Sequence, residues 1–127
     1  MLVYRVETPS GVGPFTNRYK AMTDPAPDDS YCNDCWNFGM LMGNHLKDDM
    51  HPVPDRRFIE HGYNFGCNSI ESLSTWFNAP MLAILAKYGY VVKVFNVKRP
   101  AKVSPGQVAF KMKNALLIET HPLTILA

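Results

Sequence analysis

No apolar run in this chain approaches the roughly 20 residues that a membrane-crossing helix needs. The longest, near Met81–Ala86 and Ala115–Ile118, are short and bounded by polar residues. The sequence therefore predicts no helical membrane span. The N-terminal MLVYRVET lacks the basic start and apolar middle of an export signal and reads as a strand from its first residues. Cysteine is scarce, and the count of three is odd. Without an export signal, that points to free thiols in a reducing cytoplasm rather than to a disulfide framework. Arginine-rich and glycine–aromatic tracts are missing, so nucleic acid is a weak expectation as partner. There is no G-x-S-x-G elbow to nominate a nucleophilic serine. GVGPF is too short, and continues wrongly, for a phosphate loop or a dinucleotide fingerprint.

What is present suits one compact domain. The 127 residues are 46% hydrophobic and 12% aromatic, enough for a single core, and 19% charged. Net charge is only +2 but is unevenly spread. From Ala21 to Glu60 eight acids face three bases, whereas from Lys87 onward seven bases face Glu119 alone. Such polarity can steer an anionic partner to one end of a molecule, although two solvated faces that partly neutralise each other are the stronger reading.

Residues 2–7 alternate, with Leu2, Tyr4 and Val6 on one face and Val3, Arg5 and Glu7 on the other. PSGVGPFTN is a loop, and a longer helix is expected from about Ser30 to Asp48, weakened by Gly39 and Gly43. MHPVPDRRF is a loop because Pro52 and Pro54 exclude helix and interior strand. A short extended piece follows at Tyr63–Cys67. Asn68-Ser69-Ile70-Glu71 has capping-box spacing with Asn68 as N-cap, opening a helix whose stripe is Ile70, Leu73, Trp76 and Phe77. Asn78-Ala79-Pro80 starts a second short helix, with Gly89 just past its end. YVVKVFNV is the strongest strand, and turns at Ser104-Pro105-Gly106 and Lys113-Asn114 precede QVAFK and ALLIE. The expected fold is α+β: an N-terminal strand, one longer helix, two short helices and C-terminal strands in a mainly antiparallel sheet.

Two constellations could carry chemistry. Cys32 and Cys35 form a C-x-x-C with His45, His51, His61 and Cys67 within reach in sequence, a tolerable zinc ligand set. The pair falls in the predicted longer helix, however, where two small core thiols are the stronger reading, so no metal is assigned. The second is a distributed site. Arg5 is a charge in the middle of an apolar strand, facing either open solvent or a cleft. Ser69 and Glu71 sit where a helix start favours an anion. Gln107 opens a strand just after a Pro-Gly turn, a place from which an amide can reach a ligand.

The order VYRVE, a GPF loop, HPVPD, FGxxSxxxLxxWF and a late G-Q-V-x-F strand resembles a set of small phage-encoded proteins. More remotely, it is similar to the catalytic core of mono-ADP-ribosyltransferases. That resemblance implies an ADP-ribosyltransferase-like fold that binds NAD in a cleft, with Arg5, Ser69 and Gln107 as the catalytic set. Arg5 would meet the NAD phosphates or ribose, and Ser69 the nicotinamide end. Tyr63 and Phe65 would stack on the nicotinamide ring. Gln107 falls near the position of the family's glutamate, and an amide stabilises an oxocarbenium-like transition state poorly. The competing reading is a non-enzymatic phage protein in the host cytoplasm that binds and inhibits a host protein.

Overall fold

The computed structural model describes residues 1–11, 13, 40–41 and 62–127. Among these, six strands form one sheet in the spatial order β4-β5-β2-β1-β3-β6, with every pair antiparallel. In chain order they are β1 (Leu2–Glu7), β2 (Asn64–Cys67), β3 (Val91–Val97), β4 (Ala101–Ser104), β5 (Gln107–Phe110) and β6 (Ala115–His121). Two helices, α1 (Ile70–Ser74) and α2 (Ala79–Lys87), separate β2 from β3. Short 3₁₀ turns occupy Met112–Asn114 and Leu123–Leu126. The α+β class and the antiparallel sheet expected from the sequence are both present. The longer helix expected over Ser30–Asp48 lies outside the described residues except for Met40 and Leu41, which are helical.

The alternation read in residues 2–7 divides the sheet's two faces. Strand β1 is central, paired with β2 through Tyr4↔Cys67 and with β3 along its whole length. Opposed residues in an antiparallel pair share a face. One face therefore carries Tyr4, Val6, Cys67 and Val92. It packs on Leu73, Trp76, Phe77, Met81 and Leu85 from the helical segment and on Leu123 and Leu126 from the last turn. The opposite face carries Val3, Phe95, Val97, Val108 and Phe110, a second and smaller apolar cluster, in which Phe95 and Phe110 are tilted rings 5.8 Å apart. Gly66 makes the close β1–β2 approach possible. A Cβ there would stand 2.6 Å from Val3 Cγ1 and 2.8 Å from the Tyr4 carbonyl oxygen.

Local chemistry fixes the helix ends. Ser69, not the Asn68 that the spacing suggested, caps α1: its Oγ accepts from the Ser72 amide at 3.1 Å. Asn68 is engaged otherwise, because its own amide donates to the Gly106 carbonyl at 2.9 Å and ties the end of β2 to the β4–β5 turn. Asn78 caps α2 as expected, accepting from the Met81 amide at 3.0 Å, with Pro80 in the first turn. Gly89, at φ 81°, closes the far end of α2, where the Tyr90 amide reaches back to the Leu85 carbonyl. Strand β4 was not anticipated. Its AKVS sequence has a single β-branched residue, and it is held by pairing with β5 rather than by its own propensity.

Candidate functional site

Arg5 faces neither open solvent nor an open cleft. It lies on the Val3 face of β1 and is buried together with Glu7 and Lys93. The register sets Arg5 directly opposite Lys93, a like-charge cross-strand pair that would be unfavourable alone. Glu7, whose side chain is 1% exposed, resolves the conflict. Its Oε2 accepts from Arg5 Nε at 2.7 Å and its Oε1 from Lys93 Nζ at 2.8 Å. The remaining donors go to main chain: Arg5 Nη1 to the Phe65 carbonyl at 2.7 Å and Lys93 Nζ to the Pro9 carbonyl at 3.1 Å. Gly13 packs close against the guanidinium, since a Cβ at that position would be 2.7 Å from Nη2. Such a triad organises the strand ends and the following loop. Buried and internally satisfied, such a network need not add net stability over a packed apolar one, although breaking it from one side is costly.

Apart from the Phe65 main-chain carbonyl, the other sequence-nominated residues do not gather around Arg5. Ser69 spends its hydroxyl on the α1 cap. The Phe65 side chain is buried on the helix-bearing face, as set by the Tyr4↔Cys67 and Phe65↔Ala109 registers. Tyr63 is half-buried, with Lys111 Nζ 5.2 Å from its ring centroid. Gln107 is paired with Cys67 and so leaves the sheet on the face opposite Arg5. Cys67 is buried, and burial pushes its thiol up to about 12, which keeps it neutral and a poor metal ligand or nucleophile. No cluster of three or more His, Cys, Asp or Glu capable of holding a metal occurs among the described residues. Cys32, Cys35, His45, His51 and His61 lie outside them.

Two features remain that could engage another molecule. One is a cleft of about 290 Å³ at the β4–β5 end of the sheet, bordered by Asn68, Lys102, Ser104 and Gln107 with Met1, Pro100 and Val108. The other is the β6 edge. Leu116, Leu117 and Ile118 stand in succession at 67%, 47% and 45% exposure. They lie on a seven-residue strand beyond which the described sheet does not continue. Leu116 is opposite Asn96 and Leu117 opposite Phe95, so the two project from opposite faces of the sheet. The register slips between Val94 and Phe95, leaving Ile118 as the extra residue of a β-bulge.

Sequence reasoning passed over Glu7 and Lys93, although Lys93 is the one charge within YVVKVFNV and marks a buried ion pair in the same way that Arg5 does. It also passed over the edge position of β6. ALLIE reads as a strand whether it is central or terminal, so only the sheet order distinguishes the two.

These features define a small α+β chain with an all-antiparallel sheet, no metal cluster among its described residues, and an apolar exposed edge. Over residues 1–124 the sequence matches the family described as Bacteriophage T4 Y00F protein, and the chain belongs to that phage protein family. No curated protein and no solved structure matches it.

Proposed function

We propose that this phage protein acts by binding rather than by catalysis, docking on a host protein through the β6 edge. The observation that carries the reading is the row Leu116-Leu117-Ile118, exposed on an edge strand with no strand beyond it among the described residues. Edge strands of soluble proteins are ordinarily blunted by lysine, proline, brevity or a bulge. The seven residues of β6 contain no lysine and no proline, and the bulge at Ile118 and the charge of Glu119 are the blunting features it carries. An extended segment of a partner can therefore add as a further strand, with main-chain hydrogen bonds supplying affinity and alternate side chains supplying choice.

Charge specifies the partner further. Lys111 and Lys113 precede the apolar row, and Glu119, paired with His121 at 2.8 Å, follows it. The complementary antiparallel strand is apolar at its centre, with an acid where it meets Lys113 and a base where it meets Glu119. A second copy of this chain carries the same pattern and is the competing occupant. Sedimentation of the purified protein separates the two: a monomer leaves the edge for a foreign strand, and a concentration-dependent dimer assigns it to the chain itself.

The ADP-ribosyltransferase-like reading has less behind it. Its arginine is committed to Glu7 and the Phe65 carbonyl, its serine to a helix cap, and its glutamine projects from the other face of the sheet. Calorimetric titration with millimolar NAD checks it directly. The docking account expects no binding heat, and a saturable isotherm would restore the NAD cleft.

A further inference from the structure

The bases that the sequence concentrates from Lys87 onward are not spread evenly over the fold. Strands β3 and β6 meet where Val97 stands opposite Ala115, and just beyond them the Lys98 amide donates to the Asn114 carbonyl at 2.8 Å. That bond holds the Lys98-Arg99 turn beside the 3₁₀ turn Met112–Asn114. The Asn114 amide donates to the Lys111 carbonyl at 2.9 Å, which draws Lys111 to the same place. Lys98, Arg99, Lys111 and Lys113 are thus gathered in one corner, at the start of β6.

No described carboxylate answers these charges. Lys98, Arg99 and Lys113 are exposed and make no ion pair among the described residues, and Lys111 Nζ lies 5.2 Å from the Tyr63 ring centroid. The described acids stand elsewhere. Glu7 is buried at the far end of β1, opposite Val91, Glu119 is paired with His121, and Glu71 is on α1. The exposed apolar residues begin directly at this corner, with Leu116 and Leu2 on either side of Asn96. A second copy added antiparallel through β6 would bring Glu119, His121 and Pro122 here, a single carboxylate for four cations. A foreign segment richer in acids fits better.

We propose that this corner receives an acidic segment of the partner protein, a run of glutamates or aspartates directly C-terminal to the strand that adds to β6. The inference rests on the docking reading and gives it a direction, because in antiparallel addition the partner's C-terminal end passes the start of β6. A strand added to β6 lies about 4.8 Å beyond it and about 10 Å from the end of β3. The cations of both turns therefore act on it within a Debye length of roughly 10 Å at ~0.1 M salt. Each exposed pair contributes little alone, so such a corner selects a run of carboxylates rather than one acid. Nucleic acid fits less well, since the corner sits beside aliphatic side chains and presents no exposed aromatic ring among its described residues on which bases could stack.

The test titrates the full chain into a fluorescent peptide of alternating threonine and valine that ends in four glutamates, followed by anisotropy. The comparisons are a peptide ending in glutamines, one with the glutamates placed first, and oligothymidylate. The acid-ended peptide is expected to bind saturably, about tenfold or more tighter than the other two peptides, and to weaken as salt rises. Lys98→Glu combined with Lys113→Glu, two exposed changes that should not disturb folding, is expected to remove that advantage and leave the glutamine-ended peptide unaffected. Leu116→Ser with Leu117→Ser is expected to weaken every peptide. The inference is overturned if the acid-ended peptide does not bind, if the acid-first peptide binds as tightly, if the paired Lys→Glu changes leave the advantage intact, or if oligothymidylate binds more tightly than the peptide. A glutamine-ended peptide that binds as tightly as the acid-ended one overturns this inference alone and leaves docking on β6 standing. Acid-ended binding that is unmoved by the two serines supports the corner and removes the docking reading.

Discussion

Removing the charge of Glu7 should be among the most damaging single changes that the described residues allow. Its carboxylate is 1% exposed and stands between Arg5 Nε at 2.7 Å and Lys93 Nζ at 2.8 Å. Glu7→Ala leaves two buried cations on facing positions of β1 and β3 with nothing to neutralise them. Breaking a buried ion pair from one side costs about 3–5 kcal/mol, and here the orphaned charges also repel. At roughly 3–5 °C per kcal/mol for a chain of this length, the melting temperature should fall by roughly 9–25 °C. Urea unfolding, followed by circular dichroism, should show the midpoint moving with little change in slope. The informative control removes the whole network. The triple replacement Arg5→Met, Glu7→Leu, Lys93→Met substitutes apolar bulk for all three charges and should recover most of the loss, because a buried ion cluster is often near neutral relative to a packed apolar one. A loss under about 1 kcal/mol for Glu7→Ala, or a triple replacement no better than the single one, would refute the reasoning that these charges are compensated by each other rather than by water.

Other expectations follow from single contacts. Ser69→Ala should cost about 1 kcal/mol by removing the α1 cap, while Asn68→Ala should leave the cap intact; paired denaturant titrations distinguish them. Gly66→Ala should destabilise by about 1–3 kcal/mol or more, because the new methyl would meet Val3 and the Tyr4 carbonyl; a melt within error of the unaltered protein would contradict the close strand approach. Cys67, raised from 9.0 to about 12 by burial, favours the native state through its neutral thiol. That contribution is complete below pH 9 and is lost as pH rises towards 12. Peptide mapping after iodoacetamide should show Cys67 unmodified in the native protein at pH 8 and alkylated once urea unfolds it.

Much of the fold was legible because it rests on short-range chemistry. The alternation Leu2–Glu7, the β-branched run at Val91–Val97, the Asn78 cap and Gly89 each specify their own neighbourhood. What sequence could not convey was the arrangement of the strands. Arg5, within β1, and Gln107, just after a turn, are both polar residues on strands, and nothing local says that the Tyr4↔Cys67↔Gln107 registers send them to opposite faces. The same ignorance of order hid the edge at Leu116–Ile118. Conversely, the meaning of Arg5 was half visible: a second buried-strand cation, Lys93, and a carboxylate two residues from Arg5 were already in the sequence. Only their register joined them into one network. Asn68 and Ser69 differ for a similar reason, since the long-range bond from the Asn68 amide to Gly106 passes the capping role to the next residue.

Docking through β6 is tested most directly by photo-crosslinking in infected cells. A benzophenone side chain is placed at Leu117, with Val103 on the opposite edge of the sheet as control. The account predicts one discrete adduct to a host protein from position 117 and none from 103, abolished when Leu116→Lys is added to the same chain. Adducts from both edges alike, adducts indifferent to Leu116→Lys, or no adduct at all would contradict it, and a crosslink to a second copy would assign the edge to self-association instead.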